Sequence, residues 1–310
     1  MVLFFVLGLF ATFVRSDLTV PDAIARFLAL YLLISIGFRG GAEVNHQGLT
    51  SPLIFAIAAG IFLSFITPIV AFWVLRWITE LSVTDAAAVA GHYGSISAVT
   101  FGSVTSVLNQ SSIAYDGYMV AVAAAMETPA IFAALLIARG AEDSPRSTDS
   151  GFIREVAFNS SILVLVGAFI IGAITGARGL SMLKPFLLDA FAGFLCLFLL
   201  DMGLVAGRGL KQGWRYLSPG LASFAIIMPI VGATIAAALA KLIGLSVGST
   251  AVLITLAASA SYIAVPAAMR LALPSANPAI ALTLSLGVTF PFNLTLGIPL
   301  YILIANHIAS

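Results

Sequence analysis

The chain has 310 residues, 61% hydrophobic and only 9% charged, with a net charge of +1 and a mean hydropathy of +1.11. Soluble proteins carry about 25% charged residues, so an aqueous surface is excluded and lipid is the expected solvent. The near-neutral balance excludes a nucleic-acid-binding face, the single Cys196 excludes disulfides and thiolate metal sites, and His46, His92 and His307 lack metal-ligand spacing.

A membrane-crossing helix needs about 20 apolar residues. The opening run MVLFFVLGLFATFV has no basic stretch before it and no small-residue cleavage pattern, so it reads as a short first helix rather than a signal peptide. Charged and turn residues then divide the chain into apolar stretches at 1–14, 22–38, 52–77, 84–108, 115–138, 156–177, 185–206, 217–241, 247–271 and 279–305. The expected fold class is therefore an all-α polytopic membrane protein with ten transmembrane helices. One polar linker, Arg139 to Glu155, separates a first five-helix unit, 1–138, from a second, 156–310.

The two units resemble each other. LSVTDAAAVAGHYGSIS from Leu81 aligns without a gap on LSVGSTAVLITLAASAS from Leu245, placing Ser95 on Ser259 and Ser97 on Ser261. Gly37 and Gly41 match Gly203 and Gly207, and Ser51-Pro52 matches Ser218-Pro219. This spacing marks a whole-unit repeat, and an odd number of spans per unit makes the repeat inverted, a recurring transporter architecture. Chance similarity between Ala-, Leu- and Gly-rich helices is the alternative. Arg15, Arg26, Arg76, Arg139, Arg146, Arg154, Arg208, Lys211, Arg215 and Arg270 follow odd-numbered spans, whereas Arg39, Arg178, Lys184 and Lys241 follow even-numbered ones. The bias places the odd loops in the cytoplasm and both termini outside.

In such a repeat the binding site falls at matched, interrupted helices near the midplane. Spans 4 and 9 are the matched pair. The first carries Gly91, Gly94 and Gly102 among Ser95, Ser97, Thr100, Ser103 and Thr105; the second carries Ser259 and Ser261 followed by Pro266. Glycine and proline interrupt the helical ladder, and freed backbone groups persist in lipid only around a buried cavity or ligand. A restarting helix offers N–H donors to an anion, and hydroxyls add donors or acceptors. Small residues also serve close helix packing, which is the competing role for any one serine. Glu127, in AMETPAI, is an intramembrane acid and hence a candidate cation ligand or protonation site. Its counterpart region holds Asn293, in TFPFNLTLGIP. Carboxylate, hydroxyl and carbonyl oxygens suit a hard cation such as sodium. No nucleophile with a positioned base is evident, so an enzyme is not expected.

Three stretches carry a family resemblance: GHYGSISAVTFGSVTSVL from Gly91, METPA from Met126, and SASYIAVPAAMRLALPSANPAIALTLSLGVTFPFNLTLGIPLY from Ser259. In these the chain resembles the sodium-dependent bicarbonate permeases (SbtA type) of cyanobacteria and other bacteria. The resemblance implies a ten-helix, five-plus-five inverted repeat in a bacterial inner membrane, with core and gate domains, an elevator-type movement and a homotrimer. It implies sodium-coupled symport of bicarbonate or a similar small anion, with sodium as coupling ion and no other cofactor. Substrate contacts would come from Ser95, Ser97, Thr100, Ser259, Ser261 and Tyr262, and sodium contacts from Glu127, Ser97, Ser261 and Asn293. Where the family pattern continues with an aspartate and a further serine, Tyr262 and Ala264 stand here, which removes a carboxylate suited to sodium. The short central linker leaves less for a PII-like regulatory protein to hold. A sodium/proton antiporter using Glu127, and a membrane sensor or scaffold that binds without transporting, are the alternatives.

Overall fold

Serine, asparagine and proline set where the helices begin. The structure is a computed structural model describing residues 2–47, 50–138, 160–213, 217–262 and 275–309, together with Val265, Pro266, Met269 and Leu273. Its helices are α1 (Val2–Phe13), α2 (Asp22–Gln47), α3 (Ser51–Ile78), α4 (Val83–Gly94), α5 (Ala98–Gln110), α6 (Met119–Ala125), α7 (Pro129–Ala138), α8 (Ser160–Lys184), α9 (Phe191–Gly213), α10 (Pro219–Ile243), α11 (Val247–Ala257) and α12 (Pro278–Ile308). The side chains of Ser82, Ser97, Ser218, Ser246 and Asn277 each accept a backbone N–H from the first turn of α4, α5, α10, α11 and α12, satisfying donors that a helix leaves unpaired. Proline occupies the first turn of α3, α10 and α12, where its missing N–H costs nothing. Gly244 ends α10 with φ +75°, a conformation that glycine adopts without strain.

Among the described residues, six helical stretches are long and apolar enough to cross a membrane: Asp22–Asn45, Ser51–Ile78, Met119–Ala138, Leu163–Lys211, Pro219–Ile243 and Pro278–Ile308. The 49 residues of Leu163–Lys211 would extend about 70 Å at 1.5 Å per residue, more than twice a hydrocarbon core of about 30 Å. The stretch is not one rod: α8 breaks at Gly176, whose backbone leaves the helical region at φ +56°, and α8 then joins α9 through a π-helical turn, Pro185–Asp189. Val2–Phe13 and Val247–Ala257 are shorter apolar helices. α2 continues to Gln47 rather than ending near residue 38 as its apolar run suggests, because a helix keeps its own backbone bonds after its side chains turn polar. The linker 139–155, and with it Arg139, Arg146 and Arg154, lies outside the described residues, as do Arg215, Ala264 and Arg270.

The helices sort into two groups. In one, α2 packs along α8 and α1 along α9, with α2 also against α9. These contacts are close because glycine removes the side chain between the backbones. A Cβ on Gly41 would lie 1.8 Å from the Phe169 carbonyl oxygen, and one on Gly37 2.5 Å from that of Leu165. On the other pair, a Cβ on Gly203 would lie 2.1 Å from the Phe5 carbonyl oxygen, and one on Gly8 2.1 Å from that of Leu200. In the second group, α3 packs on α4 and α7, α4 on α7, α10 on α11 and α3, and α11 on α5 and α12. Its helices are interrupted: α4 stops at Gly94 before α5 starts at Ala98, α6 stops at Ala125 before α7 starts at Pro129, and α11 stops at Ala257. α12 runs through two π-helical turns, Ser285–Thr289 and Asn293–Gly297.

Candidate functional site

The breaks after α4 and α11 meet. Between Gly94 and Ala98 the chain runs extended through Ser95 and Ser97, and beyond Ala257 it runs through Ser259 to Tyr262 before Val265 and Pro266 are helical again. The two segments are stitched at three points. The Ser261 N–H donates to the His92 carbonyl at 2.7 Å, and His92 Nδ1, necessarily the donor, bonds the Ser261 carbonyl at 2.6 Å. The Ser97 N–H donates to Ser259 Oγ at 3.0 Å, and Ser259 Oγ donates in turn to the Leu256 carbonyl at 2.7 Å. Each segment also caps the helix that follows it. Ser97 Oγ accepts the Thr100 N–H at 3.2 Å, and Ser261 Oγ accepts the Val265 N–H at 3.4 Å. Val265 and Pro266 are the first described helical residues beyond this break.

The third break delivers the acid. Ser64, on α3, donates to the Met126 carbonyl at 2.6 Å and accepts the Ala130 N–H at 3.1 Å. This one hydroxyl satisfies both sides of the α6–α7 interruption and turns Glu127 inward, where it is 5% exposed and Glu127 Oε2 accepts from Ser95 Oγ at 3.0 Å. Nothing in the apolar α3 run marks Ser64 for that task; only its pairing with a break 62 residues away reveals it.

Ser97, Glu127, Ser261 and Tyr262 share a small cavity of about 30 Å³ with Ile96, Ala98 and Val99, closed on the far side by Leu32 and Leu33 of α2 and Phe198 of α9. That space exceeds the 10–15 Å³ that one water requires. The Tyr262 hydroxyl is buried there and, though near Ser97, makes no hydrogen bond; its ring rests edge-on against Phe290 at 5.3 Å. Ser95, Thr100 and Ser259 are buried in the same crossing but do not line the cavity. Asn293 stands behind it. Its Nδ2 donates to the Ala258 carbonyl at 2.8 Å and so holds the end of α11, while its Oδ1 accepts from Tyr301 of its own helix, α12, at 2.8 Å. Tyr93 and Thr289 add a second brace, with Tyr93 donating to Thr289 Oγ1 at 2.7 Å and Thr289 to the Ala225 carbonyl at 2.6 Å.

The cavity's charge is one-sided: among the described residues, Glu127 is the one charged side chain on its wall. This carboxylate, the hydroxyls and the backbone carbonyls offer oxygen ligands to a hard cation, and the N-terminal turn of α5 offers N–H groups to an anion.

Apolar helices of membrane-spanning length enclosing a buried polar crossing define a multi-pass membrane protein. The sequence matches the Na+-dependent bicarbonate transporter superfamily over residues 1–306. The chain belongs to that family. Among curated proteins, none matches the sequence.

Proposed function

We propose that the chain is a secondary transporter that carries bicarbonate, or a similar small anion, together with sodium. The observation that carries this reading is the crossing of two interrupted helices around a cavity walled by Ser97, Ser261, Tyr262 and the carboxylate of Glu127. Two like charges at about 4 Å repel by about 4 kcal/mol at an effective dielectric of 20. A bare anion is therefore disfavoured beside an ionised Glu127, and a cation bound between them removes the penalty. That electrostatic requirement couples the two solutes.

In this reading the substrate oxyanion takes the first-turn N–H groups of α5 and hydroxyls from Ser95, Ser97, Thr100, Ser259, Ser261 and Tyr262. Sodium takes Glu127 with Ser97 and Ser261 oxygens, and Asn293 supports the site through the Ala258 carbonyl. Ten spans arranged as a five-plus-five inverted repeat are supported by the paired close approaches. Gly37 meets Leu165 and Phe169 on α8 as Gly203 meets Phe5 and Leu9 on α1. The group formed by α1, α2, α8 and α9 would be the gate, and the broken-helix group the core that moves against it, elevator fashion. Residence in a bacterial inner membrane with both termini outside follows the charge bias, and a homotrimer is the assembly that the resemblance implies.

Purified protein in liposomes with an inward sodium gradient should take up labelled bicarbonate, and potassium in place of sodium should not support it. Ser97→Ala with Ser261→Ala should lower that uptake at least a hundredfold while the protein elutes as the wild type does. Full uptake in the double variant would sink the site. The buried Glu127, with a single hydroxyl donor, favours a second reading, sodium/proton exchange. Under it a pH gradient alone drives sodium flux, bicarbonate is without effect, and Glu127→Gln abolishes the flux.

A further inference from the structure

The small cavity is not the only space between α2 and α5. A vestibule of about 690 Å³ lies beside it, lined by Ser35, Ile36 and Arg39 of α2, Phe101 and Thr105 of α5, and the Pro185–Asp189 turn with Phe191. The two spaces follow one groove. Leu32 and Leu33 line the small cavity where Ser35 and Ile36 line the vestibule; on the facing helix, Ala98 and Val99 give way to Phe101. Each step is about one helical turn.

Two groups on the vestibule wall are built for an anion. Among the described residues Arg39 is its one cationic side chain, held by Asn109 Oδ1 at 3.0 Å and by the Tyr115 ring, 5.7 Å from the guanidinium carbon. A guanidinium has five N–H donors, and this geometry occupies one. Ser35, four residues earlier and hence on the same face of α2, is 3% exposed, and its hydroxyl makes no hydrogen bond. The Tyr31 hydroxyl lies close to it but gives its own proton to the Phe186 carbonyl. A buried hydroxyl without a partner is costly unless a ligand completes it. Glu43, one turn beyond Arg39 on α2, puts a carboxylate on the same vestibule wall and has an interaction of its own.

We propose that Arg39 and Ser35 form an outer oxyanion subsite in this vestibule, one helical turn before the crossing, which captures the anion on its way to the inner cavity. The identity of that anion rests on the transport reading above; the subsite itself rests on the vestibule, the restrained guanidinium and the unpartnered hydroxyl. Arg39 also joins the α2 group to the broken-helix group through Asn109 and Tyr115, so the captured anion is presented at the seam between them.

The test is bicarbonate uptake in liposomes by wild type, Arg39→Gln, Arg39→Lys and Ser35→Ala, as KM and Vmax at low and high ionic strength set with choline gluconate. The subsite predicts a KM raised about tenfold in Arg39→Gln and about threefold in Ser35→Ala, with Vmax within twofold of wild type. Arg39→Lys should fall between, since it keeps the charge and loses the fork geometry. Wild-type KM should rise with ionic strength and that of Arg39→Gln should not. Unchanged KM in both Arg39→Gln and Ser35→Ala, or a fall in Vmax alone, overturns the subsite. If wild-type vesicles show no uptake, the transport reading fails and the subsite is read separately. Sodium bicarbonate should then raise the unfolding midpoint of wild type but not of Arg39→Gln, and equal shifts would dismiss it.

Discussion

The two helix groups are held together by opposite means. Where α2 meets α8 and α1 meets α9, glycine lets backbones touch: Gly37, Gly41 and Gly203 each sit against a carbonyl oxygen of the facing helix. Lipid provides no hydrophobic drive between helices, so such van der Waals approach must supply the attraction. In the broken-helix group the interruptions expose backbone donors and acceptors, and named polar groups satisfy them one by one: His92 and Ser261, Ser97 and Ser259, Ser64 across the α6–α7 gap. A continuous helix in lipid needs only a smooth neighbour, whereas a broken one needs a chemical partner at every loose end. The second kind of joint is also the kind that can admit a ligand.

The largest expected effect breaks the smooth joint. Gly41→Leu drives a side chain into the Phe169 backbone, where no rotamer relieves a Cβ placed at 1.8 Å. We expect loss of about 3 kcal/mol or more, read as failure to recover monodisperse protein. Gly102→Ala is the contrast. A Cβ on Gly102 meets only Ile36 and Phe191 at 3.5 Å, so folded protein should be recovered in full, and equal damage from the two changes would refute the distinction.

A middle-sized effect concerns the polar pins at either end of the broken pair α4–α5. Asp85 accepts the Asn277 N–H at 2.7 Å and the Ser82 hydroxyl at 2.8 Å, whereas Asp116 accepts Ser249 Oγ at 2.6 Å and Ser246 Oγ at 3.2 Å. Each pin ties an N-terminal helix start in one half of the chain to a loop in the other. Asp85→Asn and Asp116→Asn should each cost about 1–2 kcal/mol, seen as a lowered unfolding midpoint in detergent. The two losses should add, since the sites are distant and share no partner. A strongly non-additive double variant would show that the ends are coupled through the crossing.

Much of this contrast could be read from residue types. The apolar runs are visible because lipid tolerates few charges, and the crossing is visible because glycine, serine and proline cluster at matched positions around Ser95–Ser97 and Ser259–Pro266. Glu127 announces itself as an acid in an apolar run. What escaped is what depends on distant partners or on backbone geometry. Ser64 acts on a break 62 residues away; Asn293 spends its amide on Ala258 and Tyr301 across π-helical turns that no side-chain pattern marks. α2 runs past its apolar stretch, carrying Arg39 to the vestibule as part of a helix rather than of a loop.

The smallest structural change sharpens the comparison most. Tyr262→Phe removes one oxygen that has no hydrogen-bond partner in the cavity wall and leaves the ring against Phe290. Removing a satisfied buried hydroxyl leaves its partner orphaned and lowers stability; removing an unsatisfied one should leave the unfolding midpoint unchanged or slightly raised. Any loss of uptake in this variant therefore belongs to the ligand and not to the fold. If the hydroxyl completes its bonding on the transported anion, KM should rise about three- to tenfold, the range of a net hydrogen bond of about 0.5–1.5 kcal/mol. An unchanged KM with a raised midpoint would make the hydroxyl a cost of the tyrosine ring and no part of the site. A lowered midpoint would mean that it is satisfied within the protein after all, and would move the binding surface toward Ser97 and Ser261.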